Sequence, residues 1–178
     1  RELAVTSTEK MVTIPATRGN LYAEDGSLLA TSQIKYDIRW DAIAPSKDNF
    51  NENIVALSKG LSEVLGKPQS YYENRLRKAR STKNRYLFIA RKLGYADYVK
   101  IKSLPLFNKG QFRGGIIVEE HTEREHPLEK MAERTVGYER QDDSGYYTRV
   151  GLEGAYGYYL RGKEGRRLKQ KIAKGEWK

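Results

Sequence analysis

Two stretches have the Ser-x-x-Lys spacing in which a lysine amine can take the proton of a serine nucleophile: Ser7-Thr8-Glu9-Lys10 and Ser32-Gln33-Ile34-Lys35. That chemistry needs both side chains on one face. Both stretches lie where the apolar pattern predicts extended chain, and there positions i and i+3 point to opposite sides. The chain is rich in serine and lysine, so a chance match is expected, and no catalytic serine is assigned. His121 and His126 are the only histidines. They lack the i, i+4 spacing of a helical zinc pair. Strand alternation would put Glu119, His121 and Glu123 on one face, which could hold a cation loosely, but a solvated strand face is the preferred reading. Nothing singles out two of the 23 acidic residues as a catalytic pair. No catalytic, cofactor-binding or metal-binding residue is assigned.

Two charge patterns remain. Glu153 opens a predicted helix in which Leu152, Tyr156 and Tyr159 or Leu160 occupy neighbouring faces, so its carboxylate starts close to the core. Arg18 stands just ahead of a predicted hairpin. A charge-assisted Arg18–Glu153 pair is expected, the alternative being two separate surface charges. The second pattern is a basic tail of Arg161, Lys163, Arg166, Arg167, Lys169, Lys171 and Lys174, with tyrosines just before it. Basic charge interleaved with aromatics can track single-stranded nucleic acid. Here the tyrosines fall at helical spacing, which suits core packing. The basic residues alternate with Leu168 and Ile172, as on a solvated strand face. Nucleic acid is therefore not expected as a partner. Anionic lipid headgroups and acidic protein faces are the other uses of the charge.

The elements that would position these residues follow from the apolar pattern. Lys10 to Ala16 reads as a strand ended by Pro15. Leu21 and Ala23 share a face of a short strand, Asp25-Gly26 is a two-residue turn with both residues at positive φ, and Leu28 to Ala30 return. Tyr36, Ile38 and Trp40 then lie on one face of a strand, with Lys35, Asp37 and Arg39 opposite. Asp41 to Phe50 reads as a loop. Asn49 and Glu52 have capping-box spacing before a helix whose stripe is Ile54, Leu57, Leu61, Val64 and Leu65, stopped by Gly66 and Pro68. Ser70 and Glu73 repeat that spacing before a helix lined by Tyr72, Leu76 and Ala79. Tyr86 to Ala90 is a short strand and Tyr95 to Leu104 a third helix. Gly114-Gly115 opens the β-prone run from Ile116 to about Arg124. Pro127 starts a helix with Leu128, Met131 and Ala132 buried and Gly137 as its C-cap. Asp142 to Gly145 is a turn, Tyr147 to Val150 a strand, Glu153 to Leu160 a helix ended by Gly162, and Gly165 a turn. Leu168, Gln170 and Ile172 alternate as a last strand.

The chain has 178 residues, a net charge of +10, 38% hydrophobic residues and a mean hydropathy of −0.77. Such a composition gives a thin core, to which the 13 tyrosines can contribute apolar area. The absence of cysteine excludes disulfides, zinc–thiolate sites and cysteine nucleophiles. No apolar run approaches the ~20 residues that span a bilayer. The chain starts at Arg1 without an initiator Met or signal-like segment, so a processed or partial chain is expected, with any membrane anchor outside it.

Three separated stretches resemble one known family. Arg18 to Ala30 resembles the Arg-Gly-x-Ile-x-Asp-Arg-Asn-Gly-x-x-Leu-Ala motif of class B penicillin-binding proteins. Arg124 to Tyr138, with Pro127, Ala132 and Gly137-Tyr138, resembles its Arg-x-Tyr-Pro…Ala…Gly-Tyr segment. Gly151-Leu152-Glu153, Tyr156, Leu160, Gly162 and Gly165 resemble its Gly-Leu-Glu-x-x-Tyr…Leu-x-Gly-x-x-Gly segment. The order and spacing match along nearly the whole chain. Asn51 to Pro105 and Arg134-Thr135-Val136-Gly137-Tyr138 look most like the cell-division branch. Departures are Ala23 for Asp, His126 for Tyr, Glu129 for Gly and Gly157 for Asp.

The resemblance implies an α+β, elongated pedestal domain with long strands that converge the three motifs and stiffen a lever. The anchor region would be 1–44 with 106–178, and the helical head 45–105. The structural motif residues carried over are Arg18, Gly19, Asp25, Gly26, Arg124, Pro127, Gly137, Gly151, Glu153, Tyr156, Gly162 and Gly165. The module itself would be inactive, because the Ser-x-Asn and Lys-Thr-Gly or Lys-Ser-Gly signatures of the family's enzyme are absent. It would stand on the periplasmic side of a bacterial inner membrane, behind a transmembrane helix and ahead of its own C-terminal transpeptidase domain. There it would contact membrane-anchored division and cell-wall synthesis proteins, a homodimer being among the arrangements allowed, with no cofactor. The alternative is a stand-alone basic module that binds nucleic acid or an anionic membrane surface.

Overall fold

A computed structural model describes residues 9–14, 16–128 and 132–170. The chain is α+β and divides into two compact units, Arg1–Ser32 with Arg124–Lys178, and Gln33–Glu123.

The second unit holds the apolar core. Strand β3, Leu28–Trp40, runs into it and turns Tyr36, Ile38 and Trp40 inward. β3 pairs antiparallel with β4, Leu87–Leu93, and also with β5, Ile116–Glu125. Helix α1, Lys47–Leu65, buries Phe50, Ile54, Leu57 and Leu61, and α2, Gln69–Ser81, buries Tyr72, Leu76 and Ala79. Helix α3, Tyr95–Ser103, adds Ile101, followed by Leu106 and Phe107. Each fully buried side chain of this kind contributes roughly 1.5–3 kcal/mol. A short helix α4, Gly110–Gly114, is fastened to the end of β3: Trp40 Nε1 donates to the Gly114 carbonyl at 2.9 Å, and the Asp41 amide to that of Gly115 at 2.7 Å.

The sequence places two helix starts differently. Ser46 caps α1, its hydroxyl accepting from the Asn49 amide at 3.2 Å, so the helix begins inside the expected Asp41–Phe50 loop. Pro68 precedes α2 with no side-chain cap, so Ser70 and Glu73 form no capping box. In both cases a residue upstream had already stopped the extended chain, and the later capping spacing was left inside a helix.

The first unit is built from small pieces. Strand β1, Glu9–Ile14, pairs antiparallel with β8, Gly165–Gln170. Gly165 therefore opens a strand opposite Ile14 and is not a turn. β2, Leu21–Tyr22, pairs with the start of β3. The connecting turn closes by Gly26 N–H donating to the Ala23 carbonyl at 3.0 Å, with Gly26 at φ +82°. Asp25 is not at positive φ; its carboxylate instead accepts from the Ser27 amide at 2.9 Å. The turn is thus one followed by a left-handed glycine, not the expected two-residue turn.

Pro127 is exposed in a turn, and the helix after it, α5, is only Glu133–Val136. Val136 is its buried residue, whereas Leu128 and Ala132 are exposed. Gly137 does cap it, at φ +65°. Strands β6, Tyr138–Gln141, and β7, Tyr147–Val150, form a hairpin over the Asp142–Gly145 turn. The single helix expected at 153–160 is two: α6, Gly151–Ala155, and α7, Gly157–Leu160. The expected roles of Ser7, Thr8, Pro15, Glu129, Met131, Lys171, Ile172 and Lys174 lie outside the described residues.

Candidate functional site: an arginine–glutamate hub

Among the described residues, the buried apolar ones of the first unit are Ala30 and Val136. Its largest fully buried side chain, among the described residues, is the carboxylate of Glu153, 1% exposed. A buried charge survives only when paired and hydrogen-bonded, and here the pairing comes from the other motif segments. Arg18 Nε donates to Glu153 Oε2 at 2.7 Å, and Arg18 Nη2 to the Glu153 carbonyl at 2.7 Å. Arg124 Nε donates to Glu153 Oε1 at 2.7 Å, and its Nη2 lies 2.6 Å from the same oxygen. Arg124 Nη1 is bonded to Ser32 Oγ at 2.9 Å. The Arg18–Glu153 pair expected from the sequence is therefore present, and Arg124 joins it.

Glu139 is a second acceptor. Arg18 Nη1 and Arg161 Nη2 bond its carboxylate, and Arg149 Nε donates to Oε1 at 3.1 Å from the directly opposed position on β7. Burial alone would raise the Glu139 carboxyl, but hydrogen bonds from Arg161, Arg18 and Arg149 outweigh it and lower it from 4.5 to about 2. Arg161 also lies over the Tyr147 ring at 4.4 Å.

Glycines let the backbones approach the hub. A Cβ on Gly137 would fall 2.1 Å from the Val150 carbonyl oxygen, and one on Gly151 2.4 Å from that of Thr135. Both stand at positive φ, so the pair joins the second motif segment to the third. The Gly19 amide donates to the Leu160 carbonyl at 2.8 Å, which ties the first segment to α7. At Gly157 a Cβ would come within 3.0 Å of both Glu139 carboxylate oxygens. The residue that departs from the family's Asp thus leaves the space that Glu139 fills.

Of the residues singled out from the sequence, Arg18, Arg124 and Glu153 meet, with Gly19, Gly137 and Gly151 around them. Asp25 and Gly26 form the exposed hairpin turn, Pro127 is exposed, and Gly165 pairs with Ile14. A Cβ on Gly162 would meet that of Ala16 at 2.8 Å. Tyr156 is half exposed, and Tyr158 and Tyr159 are 84% and 80% exposed. The expectation that these tyrosines pack in a core is wrong: the buried face of α6 and α7 is set by Glu153 and Gly157, and Tyr156, Tyr158 and Tyr159 lie off it. Glu139, Arg149 and Arg161 were not foreseen as hub residues. Their one signal is position, Glu139 following Gly137-Tyr138 directly.

A cavity of about 280 Å³ beside the hub is lined by Arg18, Arg124, His126, Tyr138, Glu139 and Arg140 with Glu153. Ser32, in β3, is engaged by Arg124. On β5, Glu119 accepts from Arg39 at 2.9 Å and Glu123 pairs with Lys92 at 2.8 Å, with His121 Nε2 at 3.5 Å. Among the described residues no group of three His, Asp or Glu could hold a metal.

The fold and the hub define an α+β module whose distant segments are tied by buried charge. The sequence profile of the Penicillin-binding Protein dimerisation domain matches residues 13–178. The chain belongs to that family. No curated protein sequence matches it. Among solved structures it resembles Penicillin Binding Protein 2X from Streptococcus thermophilus, at 21% identity and a TM-score of 0.63, over 94% of this chain and 26% of that one. It also resembles a chain of a peptidoglycan synthase complex, at 22% identity and a TM-score of 0.63, over 95% and 26%. A third is in the complex between Penicillin-Binding Protein 2 and MreC from Helicobacter pylori, at 20% identity and a TM-score of 0.51, over 95% and 33%. The chain thus spans about a quarter to a third of these relatives' length. Among the described residues no helix is long and apolar enough to cross a membrane.

Proposed function

We propose that this domain is the N-terminal pedestal of a division-type class B penicillin-binding protein. It positions a transpeptidase domain for septal peptidoglycan cross-linking and presents surfaces to other cell-wall synthesis proteins. The observation that carries the reading is the family match over residues 13–178. The division assignment rests on the likeness of the 51–105 insert and of Arg134 to Tyr138 to that branch. Anchor segments 1–44 and 106–178 with a head at 45–105, a membrane anchor, a periplasmic location and a serine nucleophile outside this chain complete the proposal. A relative in complex with MreC supports the class of partner. Pairing with a second copy is a further arrangement the family name suggests.

A second reading has one observation behind it. Tyr158 and Tyr159 are exposed in the chain just before the basic strand β8, as in a module that binds an anionic membrane surface or nucleic acid.

An antibody to the domain, combined with fluorescent penicillin, separates the two. The pedestal reading expects the antibody to recognise a larger, membrane-associated protein that takes up the label, while the purified 178-residue chain does not. A native protein no larger than this chain that never labels would overturn it.

A further inference from the structure

β4 is bonded to β3 along one side, and among the described residues no strand lies on its other side. The unpaired side of a strand is a row of free amides and carbonyls, a template for a further strand. One of these carbonyls, that of Phe88, is already bonded from outside the sheet: Arg75 Nη2 on α2 donates to it at 2.8 Å. A groove of about 270 Å³ runs here, lined by Leu65, Lys67, Tyr71, Arg75, Phe88 and Arg91 among others, and none of its lining residues is acidic. Its cations are held over its aromatic rings: Lys67 Nζ lies 4.5 Å from the Tyr71 ring centre and the Arg91 guanidinium 4.9 Å from that of Phe88. The nearest acid to Arg91 is Asp37 at 3.9 Å, and Arg91 is 67% exposed there. Glu73 is committed to Arg77 at 2.8 Å.

Positive charge on an edge repels a second copy of the same edge, so it guards against self-pairing. The same charge favours a strand of opposite sign. Lys92, at φ +54°, with its amide turned to Asp37, ends the regular run and confines an added strand to Leu87–Arg91.

We propose that the outer edge of β4 is a docking site for an extended acidic segment of a partner protein. The segment adds as a strand beside Leu87–Arg91. Its alternate acidic side chains meet Lys67, Arg75 and Arg91, and its apolar ones enter the groove by Tyr71 and Phe88.

The test uses the whole 178-residue chain, isotopically labelled, titrated with acetyl-Glu-Val-Glu-Val-Glu-Val-Glu-amide to about 1 mM, the weak end of specific binding. Controls are the same peptide with Lys for Glu and the peptide N-methylated at alternate residues. The expected result is amide shifts confined to 67–75 and 87–91. Both controls should bind about tenfold more weakly, as should the Lys67→Glu/Arg91→Glu variant with an unchanged melting temperature. Shifts centred on Arg166 and Arg167 of β8, equal binding of the Glu and Lys peptides, equal binding after N-methylation, or no shift at all would each overturn the proposal.

Discussion

Arg18 grips Glu153 twice, through the carboxylate and through the backbone carbonyl, each at 2.7 Å and across 135 residues of chain. Arg124 holds the opposite carboxylate oxygen. A unit whose buried apolar residues, among those described, are Ala30 and Val136 is thereby closed around a carboxylate. Removing Arg18 leaves buried Glu153 with Arg124 alone and takes a cation from Glu139 as well, and a buried carboxylate short of partners is costly. Arg18→Ala should therefore destabilise the domain by about 3–5 kcal/mol in urea unfolding. Arg18→Lys should recover little, because an ammonium cannot bridge Glu153 and Glu139 as a planar fork does.

Glu139 gives the hub its acid sensitivity. Its folded pKa of about 2 lies below the ordinary carboxylate value of 4.5. A depressed carboxylate pKa contributes stability that is fully present above 4.5 and is lost as pH falls toward 2. Melting temperature should fall through that window. Allowing for the half-exposed Arg149 and Arg161 partners, the loss should be on the order of 2 kcal/mol. Glu139→Gln should be less stable at pH 7 and should flatten that part of the profile, leaving the contributions of the other carboxylates.

Gly137 and Gly151 face each other at positive φ with carbonyl oxygens closer than any Cβ tolerates. Gly151→Ala should cost at least ~3 kcal/mol, since backbone rather than a flexible side chain must move. Gly26→Ala meets no atom within 4 Å and pays only for φ, about 1 kcal/mol. Thermal melts of the two variants side by side read the difference.

Gly157→Asp restores the residue type of the resembling family and should still destabilise, because the new carboxylate is built against that of Glu139. The double variant Gly157→Asp/Glu139→Gln should regain part of the loss. If Gly157→Asp melts at or above the parent temperature, the space at Gly157 is not what Glu139 depends on.

Much of this was legible in the chain and some was not, for physical reasons. The α1 and α2 stripes and the inward face of β3 follow from periodicity, because burial selects residue type directly. Arg18 and Glu153 were legible because Glu153 opens a helix with apolar residues on neighbouring faces, which starts its carboxylate close to the core. Glu139 was not: Tyr-Glu-Arg-Gln on β6 looks like any solvated strand, and only the convergence of Arg18, Arg149 and Arg161 makes it a centre. Tyr158 and Tyr159 were misplaced because the buried face of α6 and α7 is set by Glu153 and Gly157, a charged residue and a glycine that apolar periodicity does not pick out. The helix expected from Pro127 failed for a related reason. Pro127 fits a first helical position and a turn equally well, and here it sits in a turn.

The most direct test of the central claim is a double-mutant cycle on Arg18→Ala and Glu153→Gln, read by urea unfolding of the whole chain. If Glu153 organises the first unit through Arg18, the two losses are far from additive, with a coupling of about 2–3 kcal/mol. Losses that add to within about 0.5 kcal/mol would mean that Arg18 and Glu153 stabilise the fold independently, and the hub would not be its keystone.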